Sequence, residues 1–235
     1  MIRAYGMHPV PLLAGIVVVI VAVQLGNWQV RRAEEKREIG ARIERYAGTA
    51  PQALDSVRGV QPPEWSHGVV RGRWLPEAAM YLDNRVLDRR PGYHVLMPLE
   101  LADASVVMVN RGWVAAGPER AVLPEIVTSS DTIEVAGRVM VPEHDPFSLA
   151  DEARDGQRWQ FIDLAAYRAW SGLAPGDWVL QQNSQVADGL VRRWADPDLG
   201  EDTHRGYALQ WYSLAALAAA LTGYYVFRSF RKHAA

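Results

Sequence analysis

The sequence predicts a membrane protein of the α+β class, with two transmembrane helices flanking an antiparallel β-rich, barrel-like extracytoplasmic domain that carries one short helix. Three observations predict it. Apolar residues collect in two blocks, one towards each end of the chain. The middle is polar enough for water and alternates apolar with polar residues in short runs. Clusters of Gly, Pro, Asp and Asn punctuate those runs, and only one stretch there has helical character.

The first block is read as a transmembrane helix over residues 8–28. Val10–Val23 is strongly apolar but only fourteen residues long, the length of a signal-peptide core, and Arg3 before it would suit a signal. Leu25, Trp28 and Val30 extend the apolar side, and no small-x-small site precedes a mature-like start. An uncleaved anchor is therefore preferred to a signal peptide. Residues 29–48 continue it as a charged helical extension. Ile39, Ile43 and Tyr46 fall at i, i+4 and i+7, Glu38 supports Arg42 at i+4, and Gly48 supplies a stop.

Residues 49–203 form the predicted β-rich domain. Strands are expected at Gly68–Trp74, Met80–Val86, Tyr93–Leu99, Val106–Ala115, Thr132–Val141, Trp159–Ile162 and Trp178–Asn183. Asp88–Gly92 (DRRPG) reads as the turn between the second and third. A helix is expected from Leu164 to Trp170, capped by Asp163 and ended by Ser171–Gly172. Pro142–Arg158 reads as a long loop. Sequential strands with little helix favour a closed or barrel-like antiparallel sheet.

The second membrane helix is placed at residues 204–228. Tyr207–Phe227 is 21 residues without a formal charge, roughly 31 Å of helix against a hydrocarbon core of about 30 Å. Tyr207, Trp211 and Tyr212 border it on one side, Tyr224, Tyr225 and Phe227 on the other. Residues 229–235 are a basic tail. Orientation sets Arg31, Arg32, Lys36 and Arg37 after the first segment against Arg228, Arg231 and Lys232 after the second. The second bias is given more weight, which places both termini in the cytoplasm and the domain outside.

Composition narrows the chemistry. The chain of 235 residues has no cysteine, which excludes disulfides, thiolate metal sites and cysteine nucleophiles. A net charge of −2 gives no field to hold nucleic acid. No catalytic signature is present, neither GxSxG, HExxH, a P-loop nor GxGxxG, so no enzymatic role is expected. Asp83, Asp88 and Asp163 are read as turn and capping residues. Arg85 and Arg111 could meet an acidic partner or a propionate, but a solvated strand end or a structural ion pair is preferred. His8, His67, His94, His144 and His233 lack mutual ligand spacing.

His204 differs by position. It lies at the outer mouth of the second helix, with Tyr207 and Trp211 at i+3 and i+7 on one face. A neutral imidazole there could give a lone pair to iron or copper, and the aromatics offer a porphyrin a flat apolar surface. On spacing alone, an interfacial histidine explains the residue better.

Five segments together resemble the Surfeit locus protein 1 family: LGNWQVRRAEEK at Leu25–Lys36, YLDNR at Tyr81–Arg85, PGYHVLMPL at Pro91–Leu99, VMVNRGWV at Val107–Val114 and HRGYALQWYSLA at His204–Ala215. They occur in the family's order and span nearly the whole chain. The resemblance implies two helices in the bacterial inner membrane around a periplasmic domain. It also implies a non-catalytic, chaperone-like factor for haem–copper cytochrome oxidase, helping to supply or position haem a in subunit I beside the haem a synthesis machinery. On that basis His204 matches the family's haem-associated histidine, as cofactor-binding residue and metal ligand, and Tyr207 and Trp211 match the motif after it. Gly112 and Trp113 match the RGW strand, for which a folding role is favoured. The other iron face would then be open, or filled by water, a second copy of the chain or a partner. The alternative is a membrane-anchored scaffold for oxidase subunits that binds no cofactor.

Overall fold

The structure is a computed structural model that describes residues 8–142, 154–194, 197 and 199–231. It divides into two compact units: Arg42–Asp196, and a unit of Met1–Ala41 with Pro197–Ala235.

Among the described residues the first unit is built on nine strands: β1 (Gln52–Ala53), β2 (His67–Trp74), β3 (Met80–Leu87), β4 (Arg90–Leu101), β5 (Val106–Ala115), β6 (Ile133–Met140), β7 (Arg154–Asp155), β8 (Arg158–Trp159) and β9 (Pro175–Gln182). Their order is β1-β2-β6-β9-β5-β4-β3-β8-β7, and an extra β2–β4 pairing closes a ring of β2, β6, β9, β5 and β4. The closure works because β4 is long. One edge pairs with β5 throughout, while the other pairs first with β3 and then, at Leu99–Leu101, with β2.

Side-chain alternation divides the core in two. Val95, Leu99, Val107, Val109, Val135 and Leu180 fill the barrel. Leu96, Met108 and Val179 point the other way, onto Trp159 and Tyr167 under helix α2 (Leu164–Ser171). Burial on both faces explains why β5 opens on an unbroken apolar run.

Several expectations shift. The sheet is mixed rather than antiparallel, because β9 runs parallel to β5 and β8 parallel to β3. A parallel partner needs a long crossover, and the chain from β6 through α2 to β9 supplies it. The turn expected over Asp88–Gly92 is only Asp88 and Arg89, with φ of 49° and 63°, so Pro91 and Gly92 lie within β4. The strand expected at Trp159–Ile162 ends at Trp159. The expected long loop carries β7 and β8 at its end, and its residues 143–153 lie outside the described residues. Helix α2 starts as read, with the Asp163 carboxylate accepting from the Ala166 N–H at 2.8 Å, and runs one residue beyond Trp170 before stopping on left-handed Gly172.

The second unit pairs α1 (Pro9–Ala47) with α3 (Glu201–Arg231). The 8–28 segment and the 29–48 extension are one unbroken helix. The second helix starts at Glu201, one turn before the expected boundary at 204. Small residues make the seam: Ala22, Gly26 and Ala33 are buried on α1, Ala208 and Ala215 on α3. Among the described residues only α1 is long and apolar enough to cross a membrane by length and composition. In α3 the 21 uncharged residues of Tyr207–Phe227 have the length and the aromatic flanks of a spanning segment. Its apolar stretch, however, is rich in alanine and interrupted by Gln210, Ser213, Thr222 and several tyrosines, which are weakly apolar.

Candidate functional site

His204 sits in the opening of α3, where Glu201 and Asp202 occupy the positive end of the helix. Glu201 pairs with Arg205 at 2.7 Å one turn on. The imidazole turns towards α1. Its Nδ1 lies 2.7 Å from Oε1 of Gln29, a residue only 8% exposed. An Nδ1–H donating to Gln29 Oε1 would leave the lone pair on Nε2, which has no hydrogen-bond partner among the described residues. A second bond joins the helices, from the Tyr212 hydroxyl to Asn27 Oδ1 at 2.7 Å, where Tyr212 packs against Gly26. Asn27 and Gln29 thus engage α3 from either side of Trp28, which is exposed.

The predicted trio is only partly gathered. His204 and Trp211 are both half-buried on the same side of α3 as Ala208 and Ala215, whereas Tyr207 is 49% exposed. Among the described residues no three His, Cys, Asp or Glu side chains gather into a metal cage. This donor set suits an iron that brings its own equatorial nitrogens, as in a porphyrin: one imidazole nitrogen with its second nitrogen tied to an amide oxygen. Sequence reading missed Gln29, because nothing in its spacing reveals a partner 175 positions away.

The other candidates belong to the barrel unit. Arg111 is buried and makes the structural ion pair with Asp188 at 3.0 Å, while donating to Thr128 Oγ1 at 2.8 Å and lying over the Trp74 ring. Asp188 also accepts from Arg192. Burial alone would raise the Asp188 carboxyl. The Arg192 bond, the Leu190 N–H and Arg111 outweigh it and hold it below the ordinary carboxylate range. Gly112 has a φ of 143°, and a Cβ there would come within 3.0 Å of Leu190 Cβ and the Val191 carbonyl. Trp113 is buried and donates to the Arg85 carbonyl at 2.7 Å. Both therefore serve folding. Asp83 holds Arg120, and Asp88 pairs with Arg193 at 2.5 Å. His94 is half-buried edge-on to Trp194, and burial with Arg85 nearby lowers it to about 4. His144 and His233 lie outside the described residues.

Comparison with known proteins gives a consistent answer. The model of the SURF1 family matches residues 16–216. A SURF1-like protein of Drosophila melanogaster is 28% identical, covering 84% of this chain and 71% of that protein. A SURF1-like protein of Rickettsia bellii is 24% identical over 87% and 86%. Surfeit locus protein 1 of Mus musculus is 24% identical over 85% and 70%.

Proposed function

Because this chain belongs to the SURF1 family, we propose that it is a membrane-anchored assembly factor for haem–copper cytochrome oxidase, assisting delivery or insertion of haem a into subunit I. One observation supports the haem part: an imidazole between two helices with one nitrogen tied to Gln29 and the other without a partner among the described residues. When bound, haem would supply the iron and its four ring nitrogens. His204 would face it through Nε2, Trp211 would offer an apolar wall, and Tyr207 would cover an edge. His204 would be the one ligand these residues supply, which suits transient carriage better than permanent retention.

The membrane part rests on side-chain placement. Large apolar residues on both helices point outwards, among them Leu13, Val17 and Ile20 on α1 and Leu214, Leu217 and Leu221 on α3. Such surfaces are stable in lipid and costly in water. The reading is of two spanning helices in a bacterial inner membrane, both termini in the cytoplasm, and a periplasmic barrel. Arg228 and Arg231, at the end of α3, support that direction. A reporter fused within residues 116–130 that is active only in the cytoplasm would refute it.

Protein purified from cells making haem a should show Soret absorbance that His204→Ala abolishes and His94→Ala keeps. Absence of any Soret band in the unmodified protein would overturn haem carriage. It would favour the second reading, a scaffold that docks oxidase subunits without cofactor, to which the exposure of Tyr207 already lends support. Co-purification with the oxidase that survives His204→Ala would then be the expected result.

A further inference from the structure

We infer that Gln29 is the positioning residue for His204: its side-chain oxygen holds the proton on Nδ1 and so presents the Nε2 lone pair outward. The seam around Gln29 is made of Ala22, Gly26 and Ala33, where a leucine would pack without leaving an amide to satisfy. Buried polar groups are hydrogen-bonded, and the partner this amide takes is the His204 ring, at 2.7 Å. The charged groups of the first turn do not compete, since Glu201 and Arg205 bond to each other at 2.7 Å. A neutral histidine in water keeps its proton mainly on Nε2, so the Gln29 contact inverts the default. Had the amide been reversed, its NH2 would donate to Nδ1 and the ring proton would sit on Nε2, blocking that nitrogen. The two arrangements are therefore chemically opposite, and only one leaves a ligand.

The tautomer stands on the contact alone, while its meaning for iron rests on the haem reading above. The test uses the full chain, labelled with 15N-histidine and held in lipid nanodiscs, with the two ring nitrogens of His204 assigned by correlation to the ring protons. The expected result is a proton on Nδ1 in the unmodified protein and in Gln29→Glu, which keeps an acceptor oxygen. In Gln29→Leu the ring should revert to a proton on Nε2, with helical content unchanged. A second readout is haemin titration of the same samples. Gln29→Leu should weaken binding about 10-fold or more and lower the iron–histidine stretching frequency, as loss of a partner behind a ligand does. Nε2 protonation in the unmodified protein, or no change of tautomer in folded Gln29→Leu, overturns the inference. The expected tautomers without any haemin binding uphold the role of Gln29 and sink the haem reading instead.

Discussion

In the barrel unit the large apolar residues face inwards: Val95, Leu96, Met108, Trp159 and Leu180 are all fully buried. In the helix pair the arrangement is reversed. Alanines, glycines and Gln29 fill the seam, and leucines, valines and aromatics look out. The same chain thus follows two packing rules, the pattern expected if the barrel meets water and the helix pair, as proposed above, meets lipid. Water drives large side chains into the barrel. Lipid gives no such push, and helices within it meet through small residues and interhelical hydrogen bonds.

The largest effect should come from the barrel, where polar groups are costly to strand. Asp188→Asn leaves Arg111 and Arg192 buried without their anion and should cost about 3–5 kcal/mol, read by urea unfolding of the detergent-held chain. An unchanged midpoint would mean that water already reaches the cluster. Next, Leu217→Arg tests the other solvent. On a wet helix it would be nearly neutral, whereas at mid-membrane it should add about 3 kcal/mol to apparent insertion free energy in a translocation reporter. Third, His94 is lowered to about 4 from 6.5 by burial and by Arg85. The unfolded chain therefore binds the extra proton first, and stability should fall as pH drops from about 6.5 to 4 and then level off. The loss is on the order of 2 kcal/mol, discounted for partial exposure. His94→Gln should flatten that window, and an unaltered slope would assign it to other groups.

The smallest effect sharpens the seam. A Cβ on Gly26 would lie 2.6 Å from Tyr212 Cε1, while one on Gly223 meets nothing within 4 Å. Both alanine variants gain helix propensity, but only Gly26→Ala must push α3 away. The two should differ by about 1–2 kcal/mol in SDS-titrated helix association. Equal values would place the helix contact elsewhere.

What the sequence disclosed followed from local chemistry. Asp163 and Gly172 mark α2 because caps act within one turn, and the alternation in β2 and β6 survives because only one period fits a half-buried strand. The β3–β4 turn was overdrawn because Arg89 takes a left-handed conformation usually left to Gly or Asn. Asn84, also at positive φ, marks a register shift in β3. Arg111 could be read as half of an ion pair, but its carboxylate lies 77 positions on. The parallel entry of β9 and the Gln29–His204 contact were likewise hidden, since both join residues far apart along the chain.

The place of β9 between β5 and β6 has a consequence for biosynthesis. Until residue 182 has left the ribosome and its channel, the nascent barrel has two raw strand edges, on β5 and β6, with no neighbour to cap them. Strands already made must wait for the last one, and a chain released early carries sticky margins into a crowded compartment. Chains stopped after Gly172 should therefore aggregate or be degraded, whereas chains extended past Gln182 should resist protease. The order of synthesis makes the final strand the lock, and α3 follows it within about twenty residues.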